Sequence, residues 1–260
     1  MGSAPLLQSN NRMTTKQLAL CFFALVATWC APGQVGDGTD EGSADGALRR
    51  YTVADDEHPE AGRLHIHDAD ADTWAGCTAT LVGSRTILTA AHCFDFTSGA
   101  YADRRGYFTI QPADGSAPVG FDLHRVATLG TELQVGGDLA VAQLDVSVPA
   151  GLASPAPIAE EWPDGDDDMT VYGYGTFGSD CSHDSDGHKR KWTTSVGGTL
   201  KALTCPGDSG GPYFHDKSGA IIAVVKGDFL GLEWVWSAVR HRDWIEDRIG
   251  ESERGELSVD

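Results

Sequence analysis

The chain has 260 residues, of which 41% are hydrophobic, with 32 glycines, 11 prolines and a formal net charge of −19. This length suggests one large domain or two small packed halves, and the composition indicates a globular protein rich in turns. The charge argues against nucleic acid or an anionic membrane surface as a partner, because both attract the opposite sign.

The first 30 residues have the composition of a secretory signal peptide. Arg12 and Lys16 precede a mostly apolar run from Leu18 to Trp29. This run is too short to span a bilayer comfortably and fits the hydrophobic part of a signal. An uncleaved membrane anchor is the alternative, and translation could start at Met1 or at Met13.

The leader predicts a secreted protein, either extracellular or periplasmic. Nothing after the leader is long and apolar enough to span a membrane, so we expect no stable membrane insertion. Lipoprotein anchoring through Cys30 is disfavoured, because the bulky Trp29 stands where lipoprotein cleavage sites have a small residue.

Residues 31–50 are rich in Gly and Asp and have almost no apolar side chains. This composition predicts a flexible linker or pro-segment. The segment ends in Arg49-Arg50, a dibasic pair that a processing protease could cut. Two acid-rich stretches, at 37–46 and 160–168, lack the spacing of a calcium-binding loop and are interpreted as solvated loops.

From residue 51 onward, short apolar runs alternate with turn residues. Many short strands punctuated by Gly, Asp and Pro favour an antiparallel sandwich or barrel. We predict strands at GRLHIHD, CTATLV, RTILTAA, YFTIQP, FDLHRVATL, LAVAQLDV, MTVYGYG, TTSVGGTLKAL, AIIAVVKG and EWVWSAV.

Only the end of the chain has a helical pattern. The stretch RHRDWIEDRIG places Trp244, Ile245 and Ile249 on one face, and we expect the helix to stop at Gly250. Residues 251–260 are then predicted to form a polar tail.

Four cysteines remain after the two in the leader. An even number in an exported chain predicts two disulfides, with three possible pairings. No CxxC pair exists to support a zinc site. The histidine-bearing stretches at 65–67 and 181–188 are interpreted as surface features, and no metal is expected. The four cysteines are Cys77, Cys93, Cys181 and Cys205.

Ser209 lies in the stretch TCPGDSGGPYF, whose glycines permit a tight turn or a close approach of the backbone. A serine becomes a nucleophile when an imidazole takes its proton and a carboxylate orients that imidazole. RTILTAAHCF supplies His92 at the end of an apolar strand, and GGDLAVAQLD supplies Asp138 at the start of another. Each alone would be read as packing or a turn, but the three together predict a catalytic serine.

The motifs TAAHC, DLA and GDSGGP together resemble the chymotrypsin-like (trypsin-fold) serine endopeptidases. The resemblance covers roughly residues 51–249 and implies a peptidase domain over 51–250. It implies an all-β fold of two packed six-stranded antiparallel β-barrels, about 51–150 and 160–240, with the active site between them and a C-terminal α-helix.

The resemblance also implies a role for each matching residue. His92 would be the general base, Asp138 would orient it, and Ser209 would attack the scissile carbonyl. The backbone N–H groups of Gly207 and Ser209 would form the oxyanion hole. Protein or peptide substrates follow as partners, with a proteinaceous inhibitor as a further candidate and no cofactor.

Cys77 and Cys93 resemble the family's disulfide beside the catalytic histidine, which leaves Cys181 to pair with Cys205. The resemblance further implies that Asp208 forms an ion pair with a new N-terminus. Cleavage after Arg50 would create that terminus at Tyr51, a residue larger than the family's usual Ile or Val. Pairing of Asp208 with a nearby Lys or Arg is the alternative.

The resemblance implies that the pocket that selects the substrate side chain falls on Leu203, Lys226 and Asp228. Leu203 stands where trypsin-like members carry an aspartate that recruits Arg or Lys. Its apolar side chain predicts cleavage after apolar or small residues. A catalytically silent binding protein is the competing function, because a fold does not fix an activity.

Overall fold

The computed structural model describes residues 52–68, 72–94, 106–130, 137–178, 181–197, 204–229 and 232–258. The predicted signal peptide, the linker or pro-segment and the proposed cleavage site after Arg50 lie outside the described residues. Within the described ranges, no helix is long and apolar enough to cross a membrane. The domain boundaries of the sequence analysis therefore stay predictions.

The described residues form twelve strands, followed by a C-terminal helix. The strands are β1 (Thr52–Val53), β2 (Ala61–Asp68), β3 (Thr73–Gly83), β4 (Thr86–Thr89), β5 (Gly106–Ile110), β6 (Val119–Leu129), β7 (Leu139–Leu144), β8 (Asp168–Gly173), β9 (Arg190–Ser195), β10 (Pro212–His215), β11 (Ala220–Phe229) and β12 (Leu232–Ser237). The helix, α1, covers Arg242–Glu253.

The strands form two six-stranded antiparallel sheets. One is a closed barrel in the order β2-β3-β4-β7-β6-β5, and the other runs β1-β9-β8-β10-β11-β12. In the described residues, β1 and β12 form the edges of the second sheet. Hydrogen bonds between strands therefore close only the first sheet into a barrel. The all-β fold class, with two six-stranded halves and a C-terminal helix, is confirmed.

The buried side chains explain why these segments pair. Strand β5 alternates buried and partly exposed residues, and its buried members Phe108 and Ile110 fill the closed barrel. A separate apolar cluster draws residues from both sheets and from α1, including Leu139, Phe214 and Ile245. This shared core packs the two halves together.

Helix α1 continues to Glu253, so the predicted stop at Gly250 is wrong. A glycine inside a helix costs about 1 kcal/mol relative to alanine. Packing of the last turn against the closed barrel opposes this cost, because the Glu253 carboxylate accepts hydrogen bonds from Ser84 Oγ and from the backbone N–H of Arg85.

Part of the polar tail predicted at 251–260 belongs to the helix, which ends at Glu253, and the described residues 251–258 are not uniformly exposed. Ser252 and Leu257 are fully buried. The carbonyl of Ser252 accepts a hydrogen bond from Gln143 Nε2 of β7 at 3.1 Å. Single residues of this polar segment are therefore held by specific contacts, whereas residues 253–256 are exposed.

Lys189, which directly precedes β9, is a fully buried lysine. Its Nζ donates hydrogen bonds to the carbonyls of His58 (2.8 Å) and Ala61 (3.4 Å), in the segment that leads into β2. Removal of the ammonium from water lowers the pKa of Lys189 to about 8. Its side chain thus joins the second sheet to the entrance of the first.

Lys189 is expected to make the protein more stable as pH rises. Its pKa is about 8 when folded against 10.5 for the unburied group, so between these values the unfolded chain binds more protons. The cost of burying the charge is present at lower pH and disappears across this window. Between about pH 7 and pH 10, the wild type should gain about 2 kcal/mol of unfolding free energy relative to Lys189→Met.

Denaturant unfolding of both proteins at each pH measures this difference. Equal pH dependence of the two proteins would contradict the lowered pKa of Lys189.

Candidate active site

The pairing of β4 with β7 brings His92 and Asp138 together. The two strands are antiparallel, with Thr89 opposite Ala140. The end of β4 therefore lies beside the start of β7. His92 follows β4 in a short 3-10 turn, Ala91–Phe94, and Asp138 directly precedes β7. Both residues are consequently placed at the same end of the closed barrel.

The Asp138 carboxylate holds His92 by two hydrogen bonds. Oδ1 accepts the backbone N–H of His92 at 2.8 Å, and Oδ2 lies 2.8 Å from the ring Nδ1. The Asp138 side chain is fully buried, whereas the imidazole is 14% exposed. Because a carboxylate only accepts hydrogen bonds, Nδ1 carries the proton, and in the neutral ring Nε2 keeps its lone pair.

Ser209 lies in the serine loop, which we define as residues 204–211. Its carbonyl accepts a hydrogen bond from the N–H of Thr78 at 2.8 Å and lies 3.8 Å from Cys93 Sγ. The main chain of Ser209 therefore sits next to the residue that follows His92. Its hydroxyl, however, donates to the carbonyl of Lys226 at 3.4 Å. In the described part of the chain it makes no hydrogen bond with His92.

The serine loop presents two unused backbone donors, the N–H groups of Gly207 and Ser209. Each belongs to a trans peptide unit whose carbonyl is already held. Thr176 N–H donates to Pro206 O, and Gly211 N–H donates to Asp208 O, both at 2.9 Å. The N–H of a trans unit points away from its carbonyl. Neither donor meets a backbone carbonyl within the described ranges.

Glycines are required at this turn. Gly207 has φ +97°, and a Cβ there would come within 2.9 Å of Gly175 Cα. A Cβ at Gly175 would approach the Asp208 carboxylate at 2.7 Å. The pattern of VYGYG predicts only a strand, although its glycines make room for this loop.

Asp208 is buried, and its carboxylate accepts hydrogen bonds from the N–H groups of Gly175 and Cys205, each at 2.8 Å. The predicted ionic partner at Tyr51 lies outside the described residues. The next residues form β1, with Thr52 opposite Lys191 of β9. The activation ion pair is thus still a prediction.

Only part of the predicted specificity pocket can be described. Leu203 lies outside the described residues. The backbone of Asp228 in β11 lies opposite that of Glu233 in β12. Lys226 lies at an irregularity of β11, and its Nζ is 5.4 Å from the ring of Trp234 and 5.5 Å from that of Trp236. The sequence pattern predicts only a strand for the two tryptophans, but their rings add an aromatic surface beside Lys226.

The structure joins Cys77 to Cys93, the bridge that the resemblance implies, and Cys181 to Cys205, the pair that this bridge leaves. The first bridge lies beside His92, and the second ties the start of the serine loop to the stretch 181–188.

Several polar side chains of the stretch 181–188 have protein partners. His188 Nδ1 lies 2.6 Å from Asp55 Oδ2, and Asp186 pairs with Arg190. Within the described ranges, no cluster of metal-ligating side chains occurs.

A family model described as Trypsin matches residues 52–231. Similar solved structures include human heparin binding protein, at 18% identity and TM-score 0.57, over 77% of this chain and 96% of that one. The scabies mite inactivated protease paralogue S-D1 has 14% identity and TM-score 0.61, over 80% and 98%. GrC has 14% identity and TM-score 0.61, over 78% and 99%. At these identities the structures show a shared fold alone, and no curated protein sequence matches.

Proposed function

The chain belongs to the trypsin family, and from that premise we propose that it is a secreted serine endopeptidase that forms an acyl-enzyme intermediate. The observation that carries the proposal is the Asp138–His92 pair, which is joined by two hydrogen bonds and lies beside the serine loop. Secretion is supported by two disulfides, which persist in oxidising compartments.

In this proposal, His92 Nε2 removes the proton from Ser209 Oγ as that oxygen bonds to the substrate carbonyl carbon. Asp138 stabilises the imidazolium that results. The carbonyl oxygen becomes negatively charged and accepts hydrogen bonds from the N–H groups of Gly207 and Ser209. His92 then passes the proton to the leaving amine, and the acyl group stays on Ser209 until water, activated by His92, releases it.

The hydrogen bond from the Ser209 hydroxyl to the Lys226 carbonyl suggests how a bound substrate could free this hydroxyl for catalysis. The Lys226 carbonyl lies at the irregular part of β11, where an extended substrate backbone could donate an N–H to it. A substrate amide that takes this acceptor would release the Ser209 hydroxyl for rotation towards His92. The nucleophile would then be assembled as the substrate strand binds.

For specificity, we propose apolar or small residues before the scissile bond. Leu203 replaces a charged pocket base, and the rings of Trp234 and Trp236 add apolar surface beside Lys226. Protein and peptide substrates are the expected partners.

A catalytically silent binding protein is the second candidate function. The direction of the Ser209 hydroxyl favours it, because within the described residues this hydroxyl donates a hydrogen bond to the Lys226 carbonyl and none to His92. The similar fold of an inactivated mite paralogue shows that this architecture also occurs in an inactivated form.

A mixed peptide library separates these functions. The purified, processed protein should cut internal peptide bonds, mostly after apolar or small residues, as mass spectrometry of the products would reveal. Cleavage only after Arg or Lys would contradict the interpretation of Leu203, and no cleavage would support the binding protein. A matched sample that carries Ser209→Ala controls for contaminating peptidases.

A further inference from the structure

Thr78 is a fully buried threonine in β3, immediately after Cys77. Its position at the end of the disulfide beside His92 places it under the serine loop. No motif in the sequence marks it, and the roles proposed above for the catalytic residues do not use it.

Every polar group of Thr78 is engaged with the active-site region. Oγ1 donates to the carbonyl of Gly207 at 2.9 Å and accepts the N–H of Tyr174 at 3.1 Å. Its N–H donates to Ser209 O, and its carbonyl accepts Thr89 Oγ1, both at 2.8 Å. One residue thus joins β4, the segment after β8 and the serine loop.

These contacts complete a series of four anchored carbonyls. The carbonyls of Pro206, Asp208 and Ser209 are held by backbone amides, the last by that of Thr78, whereas the carbonyl of Gly207 is held by the Thr78 hydroxyl. The Gly207–Asp208 peptide unit lies between the two units that carry the free N–H donors. Its orientation therefore sets the angle between those donors.

Gly207 is the residue least able to keep this orientation unaided, because glycine reaches many backbone conformations at little cost. Without the Thr78 hydroxyl, the Gly207–Asp208 unit could turn and the two N–H groups would no longer converge. A hydroxyl suits the position because it donates to Gly207 and accepts from Tyr174 at once.

We propose that Thr78 is a positioning residue that keeps the N–H groups of Gly207 and Ser209 aimed at the developing negative charge. This inference rests on the proposed peptidase function. It predicts an effect on transition-state stabilisation, with little effect on substrate binding.

The test compares Thr78→Val, which keeps the shape and removes the hydroxyl, with Thr78→Ser, which restores it. Thr78→Val should lower kcat about 100-fold, the lower range for loss of one oxyanion donor, with KM nearly unchanged. Thr78→Ser should recover most of the loss. Thr80→Val is a matched control, because Thr80 is also buried in β3 but forms none of these bonds to the serine loop.

Two further measurements separate positioning from misfolding. Rates are divided by the concentration of active sites, titrated with a phosphonyl fluoride. The affinity of a peptide boronate, which forms a tetrahedral adduct, should fall in parallel with kcat/KM across the variants. If Thr78→Val does not fold, Thr78→Ala serves in its place, with the same expected loss per active site.

An unchanged kcat in Thr78→Val, or a serine variant as impaired as the valine variant, would overturn the inference. So would a loss that disappears once rates are divided by active sites. A wild-type protein without turnover would instead reject the proposed function itself.

Discussion

Ser209→Ala is expected to fold normally and to lose peptidase activity by about a million-fold. The substitution removes the nucleophile, so no acyl-enzyme can form. It costs little stability, because the hydroxyl makes one hydrogen bond, at 3.4 Å to Lys226 O, and the residue is only partly buried. The effect should therefore appear in turnover and not in the melting temperature.

Cleavage of a fluorogenic peptide and thermal unfolding, measured on the same samples, test this expectation. Ser218→Ala is the control, because Ser218 is exposed and its hydroxyl contacts His215 and the N–H of Ala220, outside the serine loop. A Ser209→Ala protein that retains substantial activity, while Ser218→Ala behaves as wild type, would mean that another residue is the nucleophile.

Asp138→Asn is expected to lower kcat by about 10⁴-fold. The carboxylate accepts two hydrogen bonds from His92, one from the main chain and one from Nδ1, each at 2.8 Å. An asparagine side chain has one oxygen and one NH₂ group, so it can accept only one of them. If its NH₂ faces the ring, Nδ1 must accept, and the proton moves to Nε2. That nitrogen can then no longer take the proton of Ser209.

The same substitution should also destabilise the protein by about 1–3 kcal/mol, whenever it leaves a buried donor without an acceptor. Rates are therefore compared per folded molecule. Asp145→Asn is the control, because Asp145 also faces a histidine, His124 at 3.5 Å, but half of each side chain is exposed. Equal losses in both variants would contradict a special role for Asp138.

The fold class could be predicted from the sequence because its short strands are punctuated by turn residues. Strand β10 was missed, since Pro212–His215 follows directly on the glycines of the serine loop and looked like part of a turn. Strand β1 has only two residues and an exposed pattern, so nothing in its composition marks it. Both depend on pairing with distant strands, which local patterns do not reveal.

Helix α1 shows the same limit at its end. Gly250 is a reasonable helix terminator by local rules. The buried Ser252 and the hydrogen bonds of Glu253 extend the helix, and these depend on side chains of the closed barrel more than 100 residues earlier in the chain.

In the candidate site, the sequence predicts residues for the proposed chemistry but not the residues that hold them. His92, Asp138 and Ser209 lie in recognisable motifs, and the fold brings their main chains close together. Thr78 is an ordinary residue in a strand, and its importance arises only because its hydroxyl meets Gly207 and Tyr174. The direction of the Ser209 hydroxyl likewise depends on Lys226, from a different strand.

The most direct test of the proposed chemistry is a crystal structure of the processed protein after reaction with a phosphonyl fluoride. We predict phosphorus bonded to Ser209 Oγ and a phosphonyl oxygen within hydrogen-bond distance of the N–H groups of Gly207 and Ser209. We also predict His92 Nε2 beside the modified oxygen. An unreacted Ser209 that is still hydrogen-bonded to the Lys226 carbonyl would contradict the proposed catalysis. So would an adduct whose phosphonyl oxygen points away from those N–H groups.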